Sequence, residues 1–203
     1  MYALVKDNSI SKIITNPKAM VIGDVRYPAK IFQLWSESEL NAIGIYEVIT
    51  DSTNKKDEAY YINTNEQFDY ANNQVTRSWG TATPKRLEDE NAVDEDGKNI
   101  LDDDGNQVIN YGLKTEKKRI VKQQASGLLE KTDWHNHKAL DDDTYTIPDN
   151  IKSYRADVRA KSNEMESQID ACTNVDELKA LYEYTEQEDG TITRPLAEFP
   201  KEI

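Results

Sequence analysis

His135 and His137 stand two residues apart and are the chain's only histidines. On a strand that spacing turns both imidazoles to one side, where a zinc ion can be held, with Asp141, Asp142 or Asp143 as a third ligand. The pair follows Trp134 in "HNHKALDDDTYT", which reads as a solvated loop. The loop outweighs the metal site, and added zinc is expected to leave the melting temperature unchanged. A second candidate chemistry lies in the near-repeat "VDEDGKNI" and "LDDDGNQVI", where each copy places Asp-Gly after acidic residues. A calcium loop needs an aspartate at its first position and a glutamate at its twelfth. The first positions here are Ala92 and Ile100, so both copies lack the first ligand. Nucleophilic catalysis has no G-x-S-x-G elbow. Cys172 falls on the apolar side of a helical pattern, as a buried thiol does. The glycines are scattered and form no phosphate-binding loop. Paired carboxylates are abundant, but an acidic surface supplies them in any case. The reading is therefore a protein without catalytic centre, metal or cofactor.

Aromatic residues offer a different chemistry, a platform for sugar rings. Trp35, Tyr46 and Trp79 lie in the N-terminal part, among eleven tyrosines in the chain. In a thin β module aromatics supply most of the core, so that reading is the stronger one. These three also stand as candidates for contact with a protein partner.

The elements that would position such residues fall into three stretches. Residues 1–82 read as a small, mostly β module with one short helix. "YALV" and "SKIITN" flank the turn formers "KDNS", which predicts a hairpin. Ser36 with Glu39 forms a capping box, and Gly44 is placed to end that helix. "ANN" predicts a second hairpin turn between "QFDY" and "QVTRSWG". Residues 83–113 read as an acidic connector, with nine acidic residues and one lysine from Glu88 to Asp104. Its Asp-Gly steps predict one exposed hairpin. Residues 114–203 read as an antiparallel helical module with an extended tail. Thr115 is a plausible cap for "TEKKRIVKQQASGLL", and Pro148 suits the first position of the next helix. Ile151, Tyr154, Arg155 and Val158 give that helix one face, which Met165, Ile169 and Cys172 extend. "NVDELKALYEY" predicts a last short helix. The tail from Thr185 reads as irregular, with Leu196 and Phe199 able to dock. The expected fold class is α+β.

Charge narrows the partners. The formal net charge of the 203 residues is −13, which argues against nucleic acid and against an anionic membrane surface. One cysteine cannot make an internal disulfide. No apolar run reaches the length of a membrane span, and the first ten residues lack the apolar core of a signal peptide. A soluble, cytoplasmic protein is expected.

Thr132, Asp133 and Trp134 close the first C-terminal helical stripe, directly after Leu128 and Leu129. Short polar side chains there can bond the backbone groups that a helix end leaves open. The expectation is that Trp134 packs against Tyr154 and that Asp133 pairs with Arg155 or Arg159. On that geometry the indole dominates: a buried Trp is worth on the order of 3 kcal/mol, an exposed ion pair no more than about 1 kcal/mol. Trp134→Ala would then unfold the C-terminal part, and Asp133→Asn would do far less.

The same residues carry a family likeness. "LLEKTDW", a short loop and "IPDNIKSYRADVR" resemble the C-terminal module of bacteriophage tail fibre assembly proteins. The matching positions are Leu128, Leu129, Thr132, Asp133, Trp134, Pro148, Tyr154, Arg155 and Arg159, in a likeness covering roughly residues 115–184. The N-terminal "YALVKDNSISKI" and "FQLWSESELNAIGIYEV" are similar to N-terminal regions of other phage tail-associated proteins. The resemblance implies a non-enzymatic protein that meets phage tail or tail-fibre proteins, and copies of itself, in the host cytoplasm. It would act as an assembly chaperone or stay in the virion tail. A receptor- or glycan-binding component at the tail tip is the alternative. The long acidic connector and the extended tail depart from the family pattern.

Overall fold

A computed structural model describes residues 1–203 and divides them into two units, Met1–Pro84 and Lys85–Ile203. The protein is α+β, with a sheet in the first unit and most of the helix in the second. The acidic stretch from Glu88 to Asp104 belongs to the second unit.

In the first unit, β1 (Tyr2–Lys6) and β2 (Ser9–Ile14) pair antiparallel. Asp7 and Asn8 between them have φ of 51° and 58°, the left-handed pair that a two-residue hairpin turn requires. A smaller hairpin joins β3 (Met20–Ile22) to β4 (Val25–Tyr27). Two short helices follow, α1 (Ile31–Leu34) and α2 (Glu37–Ala42). The expected capping box opens α2: the Ser36 amide donates to Glu39 Oε2 at 2.8 Å, and the Glu39 amide donates to Ser36 Oγ at 3.4 Å. Gly44 ends it with φ 82°. A Cβ there would lie 2.6 Å from the Val5 carbonyl oxygen, so only glycine lets β1 pass.

The remaining strands of this unit are β5 (Ile45–Thr50), β6 (Tyr61–Ile62), β7 (Gln67–Ala71), β8 (Gln74–Ser78) and β9 (Thr83–Pro84). Asn72 and Asn73 make the predicted turn between β7 and β8, again with positive φ. The main sheet has the order β2-β1-β5-β8-β7, parallel only between β5 and β8. Its two edge strands come close to each other, so the sheet curls. Register puts Ala3, Tyr46, Val75 and Tyr70 on one face, and Ala3 and Val75 are wholly buried. Leu4 and Ile45 meet on the opposite face, where Ile31 and Leu40 of the two helices cover them.

The second unit begins with β10 (Glu90–Asn91), paired to β11 (Ile109–Asn110). Between them lie two hairpins in tandem rather than one. Asp94 Oδ1 accepts the amides of Asp96 and Lys98 at 3.0 and 2.9 Å. Asp102 Oδ1 repeats this with Asp104 and Asn106 at 3.0 and 2.8 Å. Ala92, Ile100 and Val108 occupy equivalent places and close a ring of backbone bonds: Ala92 to the Val108 oxygen, Val108 to that of Ile100, and Ile100 to that of Ala92. Each Asp-Gly step makes a turn of its own, which is why the repeat yields two hairpins. The first aspartate of each copy is spent on backbone amides. The Asn106 backbone N–H holds the Asp102 carboxyl below its usual range.

Helices α3 (Leu113–Glu130), α4 (Asp133–Asp141), α5 (Asp149–Ala171) and α6 (Val175–Ala180) complete this unit, with β12 (Thr185–Glu186) and β13 (Ile192–Thr193) in the tail. Three sequence expectations are corrected here. The histidine segment is helical, not a loop. Gly112, not Thr115, stands at the start of α3, and no side chain of its own caps it. The tail is not irregular throughout: β12 and β13 close on a third Asp-Gly turn, where the Gly190 amide donates to the Gln187 oxygen at 2.9 Å. Leu196 docks as expected and is buried, and Phe199 packs against Ala125, Tyr154 and Val158. The α5 face is as predicted, from Ile151 through Val158 and Met165 to Ile169.

Candidate functional site

The corner between α3 and α5 is organised around one carbonyl. Leu129 O accepts the Thr132 amide at 3.0 Å and the Thr132 hydroxyl at 3.0 Å. It also accepts Arg155 Nη1 at 2.8 Å. That same nitrogen lies 2.7 Å from Thr132 Oγ1, and Arg155 Nη2 lies 2.7 Å from Asp133 Oδ1. The guanidinium is thus the pin that fixes the end of α3, the start of α4 and the second turn of α5 to one another. Arg155 is 8% exposed. Its length is suited to this, because its stem crosses the apolar face while its planar fork meets three oxygens. Of the two arginines expected to pair with Asp133, Arg155 does so. Arg159 bonds only the Arg155 carbonyl, at 3.3 Å, and is exposed.

The apolar part of the corner holds Ala125, Tyr154 and Val158, with Leu128, Leu129 and Phe199 packed against them. Pro148 precedes α5 as its cap rather than its first residue, and its carbonyl accepts the Lys152 amide at 3.1 Å. Further along, α3 and α5 are joined by cations set one turn apart. Lys118 Nζ reaches Asp170 at 2.7 Å and Lys122 Nζ reaches Glu166 at 3.2 Å. The bond to Asp170 raises the Lys118 ammonium above its usual range. This order, ascending in α3 and descending in α5, makes the pair antiparallel.

Trp134 does not pack against Tyr154 as expected. The residue is 54% exposed, and its ring stacks on His135, with centroids 3.7 Å apart and planes at 26°. Tyr145 lies beyond, 6.4 Å from the indole. The place expected for it beside Tyr154 is held by the leucines and Phe199. The reason is angular. Thr132, His135 and Ala139 lie three and four residues apart and take the covered side of α4. Trp134, about 100° from His135, is left on the exposed side.

His135 is buried, with Nδ1 bonded to the Tyr145 hydroxyl. His137 is exposed. Two residues apart on a helix is about 200°, so the imidazoles diverge. No group of three metal-ligating side chains occurs anywhere in the chain. Burial pushes the Cys172 thiol up, away from the reactive thiolate.

The N-terminal candidates lie in packed surroundings. Trp35 is half-buried, edge-on to Tyr27 at 5.8 Å. Tyr46 is half-buried and accepts the Tyr70 hydroxyl at 3.0 Å. Trp79 is 7% exposed, with Arg77 4.6 Å and Lys55 5.1 Å from its ring.

Two positioning residues escaped sequence reasoning, Tyr145 beside the corner and Asp89 at the opposite end of α3. Tyr145 carried no periodic signal. Asp89, from before the hairpins, caps α3: it accepts the Gly112 amide at 2.7 Å and the Thr115 hydroxyl at 2.9 Å. Comparison with protein-family models, with curated proteins and with solved structures finds no match. No helix is long and apolar enough to cross a membrane.

Proposed function

We propose that this is a non-enzymatic bacteriophage tail protein that acts in tail or tail-fibre assembly and attachment through protein–protein contacts. Its partners are tail or fibre proteins and further copies of itself, met in the host cytoplasm, not nucleic acid or membrane. The observation that carries the reading is the exposed Trp134 ring, held in a stack with His135 and Tyr145 on a corner that Arg155 fixes. A large aromatic ring fixed in advance and left in water is what an interface anchor needs, because little further order is lost on binding.

Trp134→Ala should keep its circular dichroism and lose capture of the tail or fibre partner by about 30-fold or more, the usual loss for an interface anchor. Unchanged capture would remove the indole from the interface. Mass spectrometry of purified particles separates the two roles: absence marks a transient chaperone, and a fixed copy number marks a tail component. The same exposed ring also suits a receptor- or glycan-binding tail-tip protein. Adsorption of the purified protein to host cells would favour that second reading.

A further inference from the structure

We propose that the cleft between α3 and α5, beside the Arg155 pin, binds side-chain carboxylates of an acidic polypeptide segment of the partner. The cleft has a volume of about 470 Å³. Its cations differ in how they are matched. Arg155 is held by Asp133, and Lys122 by Glu166. Arg159 has no carboxylate partner, and its one bond goes to a backbone carbonyl at 3.3 Å. A guanidinium has five N–H donors in a planar fork, so most of that capacity remains unused. Two further donors line the same cleft, the Ser126 hydroxyl on α3 and the Asn163 amide on α5. Neither side chain has a hydrogen-bond partner within the chain. Arg159 and Asn163 are four residues apart on α5, so they share one face.

Three groups with spare donor capacity, from two facing helices, therefore border one concavity, and one of them is a cation without a carboxylate partner in a chain of net charge −13. A carboxylate is the group that such a fork takes bidentately. Leu129 adds an apolar wall for the residue next to it. Asp133 also borders the cleft, but Arg155 engages it. The inference rests on the docking reading for its biological partner, but its test needs only purified protein and a synthetic probe.

The probe is an acetylated, amidated hexapeptide of alternating glutamate and leucine, followed by fluorescence anisotropy and by the Arg159 Nε–Hε resonance. Saturable binding with a shift of that resonance is expected, at least fivefold weaker for Arg159→Gln and unchanged for Lys12→Gln in the first unit. Arg159→Lys, which keeps charge but loses the fork, should fall between. The glutamine–leucine peptide should not bind. Its free-acid form should bind no better, which separates side-chain from chain-terminal carboxylates. The proposal is overturned if the Arg159 resonance stays still, or if glutamate and glutamine peptides bind alike. It is equally overturned if Lys12→Gln weakens binding as much as Arg159→Gln does. Should Arg159→Gln lose its helical signal, the resonance in the parent protein decides. Failure here, with capture still dependent on Trp134, would leave the docking reading standing.

Discussion

Arg155→Leu should destabilise the helical unit by about 3 kcal/mol, the low end of what breaking a buried pair costs. Leucine restores part of the apolar stem but removes every bond of the fork. Leu129 O keeps its two bonds from Thr132, so the carbonyl is not orphaned. What is lost is a charge-assisted bond to it, another to Thr132 Oγ1, and the contact with Asp133. Bonds to charged groups are worth roughly 1.5–3 kcal/mol each. The Asp133 part must be discounted, because that side chain is 45% exposed and water replaces its partner. Asp133→Asn should therefore cost no more than about 1 kcal/mol. Trp134→Ala should cost about as little, since the residue is already more than half exposed. At roughly 2–4 °C per kcal/mol, thermal denaturation followed at 222 nm resolves the ranking. Equal shifts for Arg155→Leu and Trp134→Ala would refute the pin.

That ranking reverses the one suggested by residue types alone, and the reversal shows where sequence stops being informative. The Asp7-Asn8 turn, the Ser36 box, Gly44 and the long face of α5 were legible because each signal lies within a few residues of its effect. That Asp133 pairs with an arginine of α5 was legible, with Arg155 and Arg159 both open, because opposite charges at a helix junction have few other partners. The side on which Trp134 emerges was not, since it depends on residues 133–141 being helical, and "HNHKALDDD" has no clear apolar stripe. The parallel pairing of β5 with β8 was hidden as well, because alternation predicts strands but not neighbours. The repeat at 93–108 was visible, but a single turn signal does not reveal that Ala92, Ile100 and Val108 bond in a ring. Asp89 is separated from the helix it caps by both hairpins. No periodicity links them.

The substitution of Gly112 by alanine should be as damaging as loss of the pin, at about 3 kcal/mol, because over-packing against rigid surroundings reaches that size. Conformation alone predicts the opposite sign. Gly112 has φ −85°, which alanine adopts freely, and a Gly→Ala change at a compatible site gains about 0.4–1 kcal/mol. Space decides instead. A Cβ would stand 2.5 Å from the Leu87 carbonyl oxygen and closer still to the carbonyl of Glu88. These are backbone atoms that no rotamer change can move. The chain that would be pushed away is the external cap of α3. Arg86 O and Leu87 O accept the amides of Leu113 and Lys114 at 2.9 and 3.1 Å, while Asp89 takes those of Gly112 and Thr115's hydroxyl. The buried Lys114 ammonium would also lose Glu88, now at 2.5 Å. Gly127, within the same helix, has nothing within 4 Å of its own Cβ position. Gly127→Ala should stabilise by roughly 0.5–1 kcal/mol, the ordinary helix-interior gain. Urea denaturation of the two variants should therefore give shifts of opposite sign. Hydrogen exchange should show the amides of Ala92, Ile100 and Val108 losing protection in Gly112→Ala alone, because the stem of the tandem hairpins and the cap of α3 are one strip of chain. A Gly112→Ala protein as stable as the parent would mean that the strip moves aside freely and that the acidic hairpins do not hold α3.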